Sequence, residues 1–200
     1  MKIGMMGGTY NPPHIGHLEA GRAVYEALHL DKILFIPTNV PPHKQLPAGS
    51  ATTEQRCEMV QRMLADCPWA ELSTIEIDRG GASYTVDTLR ALHATGLYDS
   101  VTLIMGTDML LRFDSIWRAH DEIARLAELA VVSRHEDDRA ALEEKAAQLR
   151  ETLGARIHLV RAPVIDISST ELREGENLEK YTAPAVAQYI KEHHLYEASR

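Results

Sequence analysis

Two cysteines in 200 residues are too few for a disulfide framework. Cys57 and Cys67 have neither metal-ligand nor redox spacing, so both read as reduced thiols. No run approaches the ~18 consecutive apolar residues of a membrane span. The N-terminus reads as a short strand and a glycine loop rather than a signal peptide. The expected compartment is the cytoplasm, with no membrane partner. Positive charge is also scarce: 21 Lys and Arg against 29 Asp and Glu leave a net charge of −8. That argues against a dedicated nucleic-acid binder, which needs a basic face. Small anionic ligands need only local charge, for which Lys44, Arg56, Arg134 and Arg173 are the candidates. Internal repeats and low-complexity segments are missing as well. What remains, 44% hydrophobic and 25% charged, is an ordinary globular composition, long enough to bury a core without staples.

Short apolar runs at Lys2–Met6, Lys32–Pro37, Val101–Met105, Leu129–Val132 and Ile157–Val160 read as buried strands. An alternating stretch, Leu72–Ile77, reads as another. Between them lie helical patterns, among them Leu18–Leu28, a helix opened by Thr53-Glu54-Gln55-Arg56, one capped by Ser83, a segment carrying Trp117 and Ile123, and Asp138–Leu153. Helices from about Ser169 and Ala185 finish the chain. Strands alternating with helices predict an α/β fold, a Rossmann-like doubly wound parallel sheet with a small C-terminal helical part. Residues 1–200 read as a single domain, with 168–200 as that helical part. Ligands of such sheets sit beyond the C-terminal strand ends. The long loop Thr38–Thr52 fits either a substrate-covering role or simple surface wandering.

The most informative run is Gly7-Gly8-Thr9-Tyr10-Asn11-Pro12-Pro13-His14-Ile15-Gly16-His17, between the first strand and its helix. Adjacent glycines let backbone approach a ligand, and a helix N-terminus offers unpaired N–H groups with partial positive charge. His14 and His17 are three apart, so both rings can project from one side of the first turn toward phosphate oxygens. Taken singly, the parts have plainer readings: a tight turn for the glycines, a capping or solvated histidine. Two metal ligands are a further reading, but they need a third and no nearby Cys or Glu run supplies one. A second run, Ile167-Ser168-Ser169-Thr170-Glu171-Leu172-Arg173, reads as a hydroxyl-rich helix N-cap with Arg173 one turn along, able to reach the same anion.

Together these runs resemble the HxGH nucleotidyltransferase superfamily, whose members move AMP or CMP from a triphosphate to an acceptor. His14-Ile15-Gly16-His17 also matches the related motif of class I aminoacyl-tRNA synthetases, but a Lys-Met-Ser-Lys-Ser run is missing. Within the superfamily the chain looks like a bacterial nicotinate mononucleotide adenylyltransferase. The opening run, Pro41-Pro42-His43-Lys44, Ser83-Tyr84-Thr85-Val86-Asp87-Thr88-Leu89, and Gly106-Thr107-Asp108 with Trp117 carry the likeness from residue 3 to about 195. Three departures stand out: Tyr10 and Asn11, where Phe and Asp are more usual, and one extra residue before Trp117.

The resemblance implies AMP transfer from ATP to nicotinate mononucleotide, giving nicotinate adenine dinucleotide and pyrophosphate. It implies His14, His17 and Arg173 as the catalytic residues. Gly7, Gly8, Thr9, Tyr10, Gly106, Asp108, Arg134, Ser168, Ser169 and Thr170 would join them in binding ATP. Asn11, Lys44, Tyr84, Thr85 and Trp117 would hold the mononucleotide. Trp117 would stack on the pyridine ring, and free N–H groups at Tyr84-Thr85 would meet the nicotinate carboxylate. Without the family, Asp108 reads equally as a helix cap and Trp117 as a core aromatic. Mg²⁺ is the expected cofactor, held mainly by ATP phosphates, with no protein-built metal site. Rival readings are nicotinamide mononucleotide or phosphopantetheine adenylyltransferase, or a non-catalytic nucleotide sensor. The C-terminal Tyr189, Ile190 and Leu195 fit either core packing or a homo-oligomer contact.

Overall fold

The computed structural model describes residues 1–42, 45–133, 138–175 and 177–197. In chain order it forms β1 (Lys2–Gly8), α1 (Ile15–Ala27), β2 (Lys32–Pro37), α2 (Thr53–Met63), β3 (Ala70–Leu72), α3 (Ile75–Arg79), α4 (Thr85–Ala94) and β4 (Ser100–Gly106). There follow α5 (Thr107–Leu111), α6 (Phe113–Ile116), α7 (His120–Leu126), β5 (Glu128–Ser133), α8 (Arg139–Leu153), β6 (Ile157–Arg161), α9 (Ser169–Arg173), α10 (Leu178–Tyr181) and α11 (Pro184–Glu192). The strands join one six-stranded sheet in the order β3-β2-β1-β4-β5-β6, and the pairings of β1 with β4, β4 with β5 and β5 with β6 are parallel. This is the doubly wound arrangement the alternating pattern predicts, with the order reversing between β1 and β4.

The chain divides into two compact units. One comprises residues 1–6, 20–34 and 84–164. Here Ile3, Met5, Val101, Leu103 and the whole run Leu129–Val132 are buried, because a parallel sheet covered on both faces leaves no solvent side for polar alternation. Packing is close at Gly4: a Cβ there would stand 2.4 Å from Ile33 Cδ1, and that side chain would have to shift to admit it. The other unit comprises residues 7–19, 35–83 and 165–200. In it α2 packs on α11, with the Arg62 guanidinium 4.8 Å above the Tyr189 ring. Tyr189 and Ile190 are buried within this unit and Leu195 is half-buried, so core packing engages at least the first two.

Three local expectations are corrected. Leu72–Ile77 is not a strand; β3 ends at Leu72 and Ile75 opens a short helix. Ser83 does not cap α4, whose N-cap is Tyr84; its Oγ instead accepts from the Asn39 N–H at 2.9 Å. Trp117 is not in a helix but in the extended link between α6 and α7, followed by Ala119 at φ 54°. The α2 helix begins at Thr53, as its opening run suggests, and is capped by Thr52 through a capping box with Gln55. No helix among the described residues is long and apolar enough to cross a membrane.

Candidate active site

At the end of β1, Gly8 is crowded by Tyr10: a Cβ there would meet the ring at 2.9 Å. Tyr10 turns the chain with φ 51°, and the Asn11-Pro12 peptide that follows is cis. Burial, reinforced by the charge of Glu76, pushes the Tyr10 phenol well above its usual pKa. It therefore stays a neutral hydroxyl, and its ring packs edge-on to His17 at 5.0 Å.

His17 lies in the first turn of α1, whereas His14 precedes the helix and supplies the carbonyl that accepts from the N–H groups of His17 and Leu18. The two rings are 3.7 Å apart, and the backbone N–H of His14 donates to His17 Nδ1 at 3.1 Å. An Nδ1 that accepts carries no proton, so Nε2 of His17 is the donor nitrogen.

The hydroxyls of the second motif have separate tasks. Ser168 caps α9 through a capping box with Glu171, whose carboxylate is held below its usual pKa by the Ser168 hydroxyl and N–H. Ser169 Oγ donates to the Pro12 carbonyl at 2.9 Å. Arg173 donates from Nη1 to the Asn11 carbonyl at 2.7 Å and from Nη2 to Thr170 Oγ1 at 3.0 Å. The two motifs, more than 150 residues apart in sequence, are thus stitched directly to one another within one unit.

They share a cavity of about 390 Å³ lined by Thr9, Tyr10, Asn11, His17, Ser169, Thr170 and Arg173, with Gln45–Pro47 completing its wall. Among the described residues the lining offers hydroxyls, two amides, an imidazole and a guanidinium, and no carboxylate: a donor-rich surface suited to a polyanion. Gly7, Gly8, His14 and Ser168 are not on this lining. Arg56 is not a ligand-facing cation. It is fully buried, donating to the carbonyls of Thr9 and Thr38 at 2.7 Å each and to Thr53 Oγ1 at 3.3 Å. Burial pushes its pKa down from the usual arginine value. Its burial had a signal: Arg56, Met59, Val60 and Met63 fall at i, i+3, i+4 and i+7, the inward stripe of α2. Sequence reasoning missed the Gln45–Pro47 wall, which carries no chemical signature.

In the other unit, Gly106 caps α5 and Asp108 stands exposed in its first turn, so Asp108 is not the cap. Thr85 begins α4 with Tyr84 as an N-cap that makes no side-chain capping bond. Trp117 is half-buried with its ring 5.6 Å from that of Phe113. Its neighbour Arg118, also missed, places its guanidinium 4.5 Å over the Tyr84 ring and has no carboxylate partner among the described residues. Nearby arginines differ, since Arg90 pairs with Glu122 and Asp87, and Arg125 with Asp121. Lys44 and Arg134 lie outside the described residues. Among those described, no group of three or more His, Cys, Asp or Glu is placed to hold a metal ion.

The sequence profile of the cytidylyltransferase-like family matches residues 5–175. A protein of Roseiflexus sp. described as a probable nicotinate-nucleotide adenylyltransferase is 41% identical, the match covering 97% of each chain. One of the same description from Trichlorobacter lovleyi is 37% identical over 98% of this chain and 100% of its own. Among solved structures, Plasmodium falciparum nicotinic acid mononucleotide adenylyltransferase complexed with NaAD superposes with a TM-score of 0.74 at 16% identity, covering 98% of this chain and 97% of that one.

Proposed function

The chain belongs to the cytidylyltransferase-like family, among the nicotinate-nucleotide adenylyltransferases, and we propose that it transfers AMP from ATP to the 5′-phosphate of nicotinate mononucleotide. The products are nicotinate adenine dinucleotide and pyrophosphate. The single observation that carries the reading is the cavity on which Thr9, His17, Ser169, Thr170 and Arg173 converge. It suits a triphosphate, and its relatives' names supply the acceptor.

The acceptor phosphate is already an anion at neutral pH, so attack on the α-phosphorus of ATP needs no general base. Positioning and charge neutralisation carry the rate. His17 Nε2–H and the Arg173 guanidinium donate to phosphate oxygens as charge shifts toward the leaving pyrophosphate. Ser169 and Thr170 hydroxyls and the amides of the 9–11 turn complete the phosphate contacts. His14 acts through His17, whose ring it orients. Mg²⁺ would ride on the ATP phosphates, since the described residues of the cavity lining offer it no carboxylate. It would supply further neutralisation of the triphosphate.

Gly106 and Asp108 are assigned to the ATP ribose, and Lys44 and Arg134 to phosphates. For the acceptor, the N–H groups of the first turn of α4, which no side chain caps, match a carboxylate's two acceptor oxygens, which a carboxamide does not. The Arg118 charge over Tyr84, without a carboxylate partner among the described residues, adds to that preference. Trp117 offers its face to the pyridine ring. The test is product identification with ATP and Mg²⁺ and each of nicotinate mononucleotide, nicotinamide mononucleotide and phosphopantetheine. Nicotinate adenine dinucleotide with stoichiometric pyrophosphate, formed fastest from the first, is expected. Equal or faster use of another acceptor overturns the acceptor assignment, and no pyrophosphate with any of them overturns the activity.

A further inference from the structure

Asn11 is buried, and each of its polar groups is engaged in a way that fixes its amide unambiguously. Its Oδ1 accepts from the Tyr196 hydroxyl at 2.8 Å and from the Ala51 N–H at 3.2 Å. Its Nδ2 donates to Ser50 Oγ at 2.9 Å. The reverse orientation would set an NH₂ group against the Ala51 N–H, two donors facing each other. Ser50 Oγ passes its own proton to the Pro47 carbonyl at 2.7 Å, and Pro47 stands on the cavity wall. The Asn11 backbone carbonyl is the acceptor that orients Arg173. Asn11 therefore joins the cavity's cation to its wall.

Tyr196, 185 residues further along the chain, is among the described residues the one whose side-chain hydroxyl donates to this amide. It is 3% exposed, held by a left-handed turn at φ 66°. Burial raises its pKa far above the usual tyrosine value, so the hydroxyl keeps the proton it donates. A Phe ring would fill the same space; what the hydroxyl adds, among the described residues, is its bond to Asn11.

We propose that Tyr196 is a positioning residue for AMP transfer, its hydroxyl locking Asn11, whose backbone carbonyl aligns Arg173 and whose side-chain amide holds the Pro47–Ala51 segment against the bound triphosphate. The inference rests on the reading above. Without the hydroxyl, Oδ1 keeps only the Ala51 bond, and the amide can swing with the carbonyl that orients the guanidinium. Misplacement of a group by a fraction of an ångström slows a reaction that depends on alignment.

The test is Tyr196→Phe, which keeps the ring in its place. The expected result is kcat lowered about tenfold, KM for nicotinate mononucleotide within about twofold, and a melting temperature close to wild type. Asn11→Ala should be lowered at least as much, and adding Tyr196→Phe to it should cost nothing further in kcat, since the route through Asn11 is already cut. Asn11→Asp keeps the acceptor, so in that background Tyr196→Phe should again be costly. A Tyr196→Phe enzyme with kcat within twofold of wild type, or losses that multiply in the Asn11→Ala background, overturns the proposal. A lowered melting temperature with unchanged kcat does the same, for it marks a merely structural hydroxyl. Should the wild type itself make no dinucleotide, the functional reading falls separately. The proposal is then judged by ATP affinity, and a Tyr196→Phe chain that binds ATP as tightly as wild type contradicts it.

Discussion

The backbone N–H of His14 donates to Nδ1 of His17 at 3.1 Å while the two rings stand 3.7 Å apart. One histidine thus fixes the tautomer of the other, so the nitrogen left to donate toward phosphate is Nε2. Long-range ¹⁵N–¹H correlation spectra of the neutral ring should show His17 protonated on Nε2. A proton on Nδ1 contradicts the assignment.

Arg56 is a clamp, holding the carbonyls of Thr9 and Thr38 from within. Arg56→Met fills the volume but leaves both carbonyls without that donor, at about 1–3 kcal/mol each. For a chain of this size that lowers the melting temperature by roughly 5–20 °C. Calorimetry of the variant checks it, and an unchanged melting temperature contradicts the clamp.

Arg118 bears on acceptor choice. Removing an exposed charge removes only about 0.2–1 kcal/mol of attraction for a carboxylate. Arg118→Gln should therefore reduce the nicotinate-over-nicotinamide ratio of kcat/KM by about 1.4- to fivefold. The loss should fall on the nicotinate substrate alone and shrink with added salt. Equal effects on both acceptors would contradict a charge-based preference.

Asp114, at α6, is bonded by Lys145 of α8 at 2.7 Å, which holds its carboxyl below the usual range. A carboxyl whose pKa is lowered by folding stabilises the fold above its unfolded value and loses that contribution as pH falls through its folded value. Asp114→Asn should thus be less stable than wild type at pH 7, by under about 1 kcal/mol, and the gap should be smaller at about pH 3, below the unfolded carboxyl's value of about 3.9. Denaturant melts at the two pH values check it. A gap undiminished in acid contradicts the linkage.

Much of the fold was legible because a parallel sheet prints its buried strands as unbroken apolar runs. Leu129–Val132 and Val101–Met105 are such runs, and the structure makes each the middle of a strand. The misreading at Leu72–Ile77 has a physical cause: a five-residue helix carries too few positions to show a 3.6 period, and its apolar residues imitate alternation. Trp117 was assigned to a helix because α6 and α7 are each barely a turn or two long. The two motifs were legible as chemistry, but not the bonds from Ser169 to Pro12 and from Arg173 to Asn11 that join them. Such bonds depend on long-range chain return, which no local pattern encodes. Tyr196 was invisible for the same reason, its one polar partner lying at the far end of the sequence.

The central claim is that the cavity bearing His17 and Arg173 is where AMP is transferred, and turnover of His17→Ala measures it most directly. Loss of one preorganised donor to a developing charge should lower kcat about 10²- to 10³-fold. Because His17 is at the edge of the cavity rather than in the apolar core, the melting temperature should stay near wild type. A His17→Ala chain that folds and turns over ATP and nicotinate mononucleotide at nearly the wild-type rate would contradict the account.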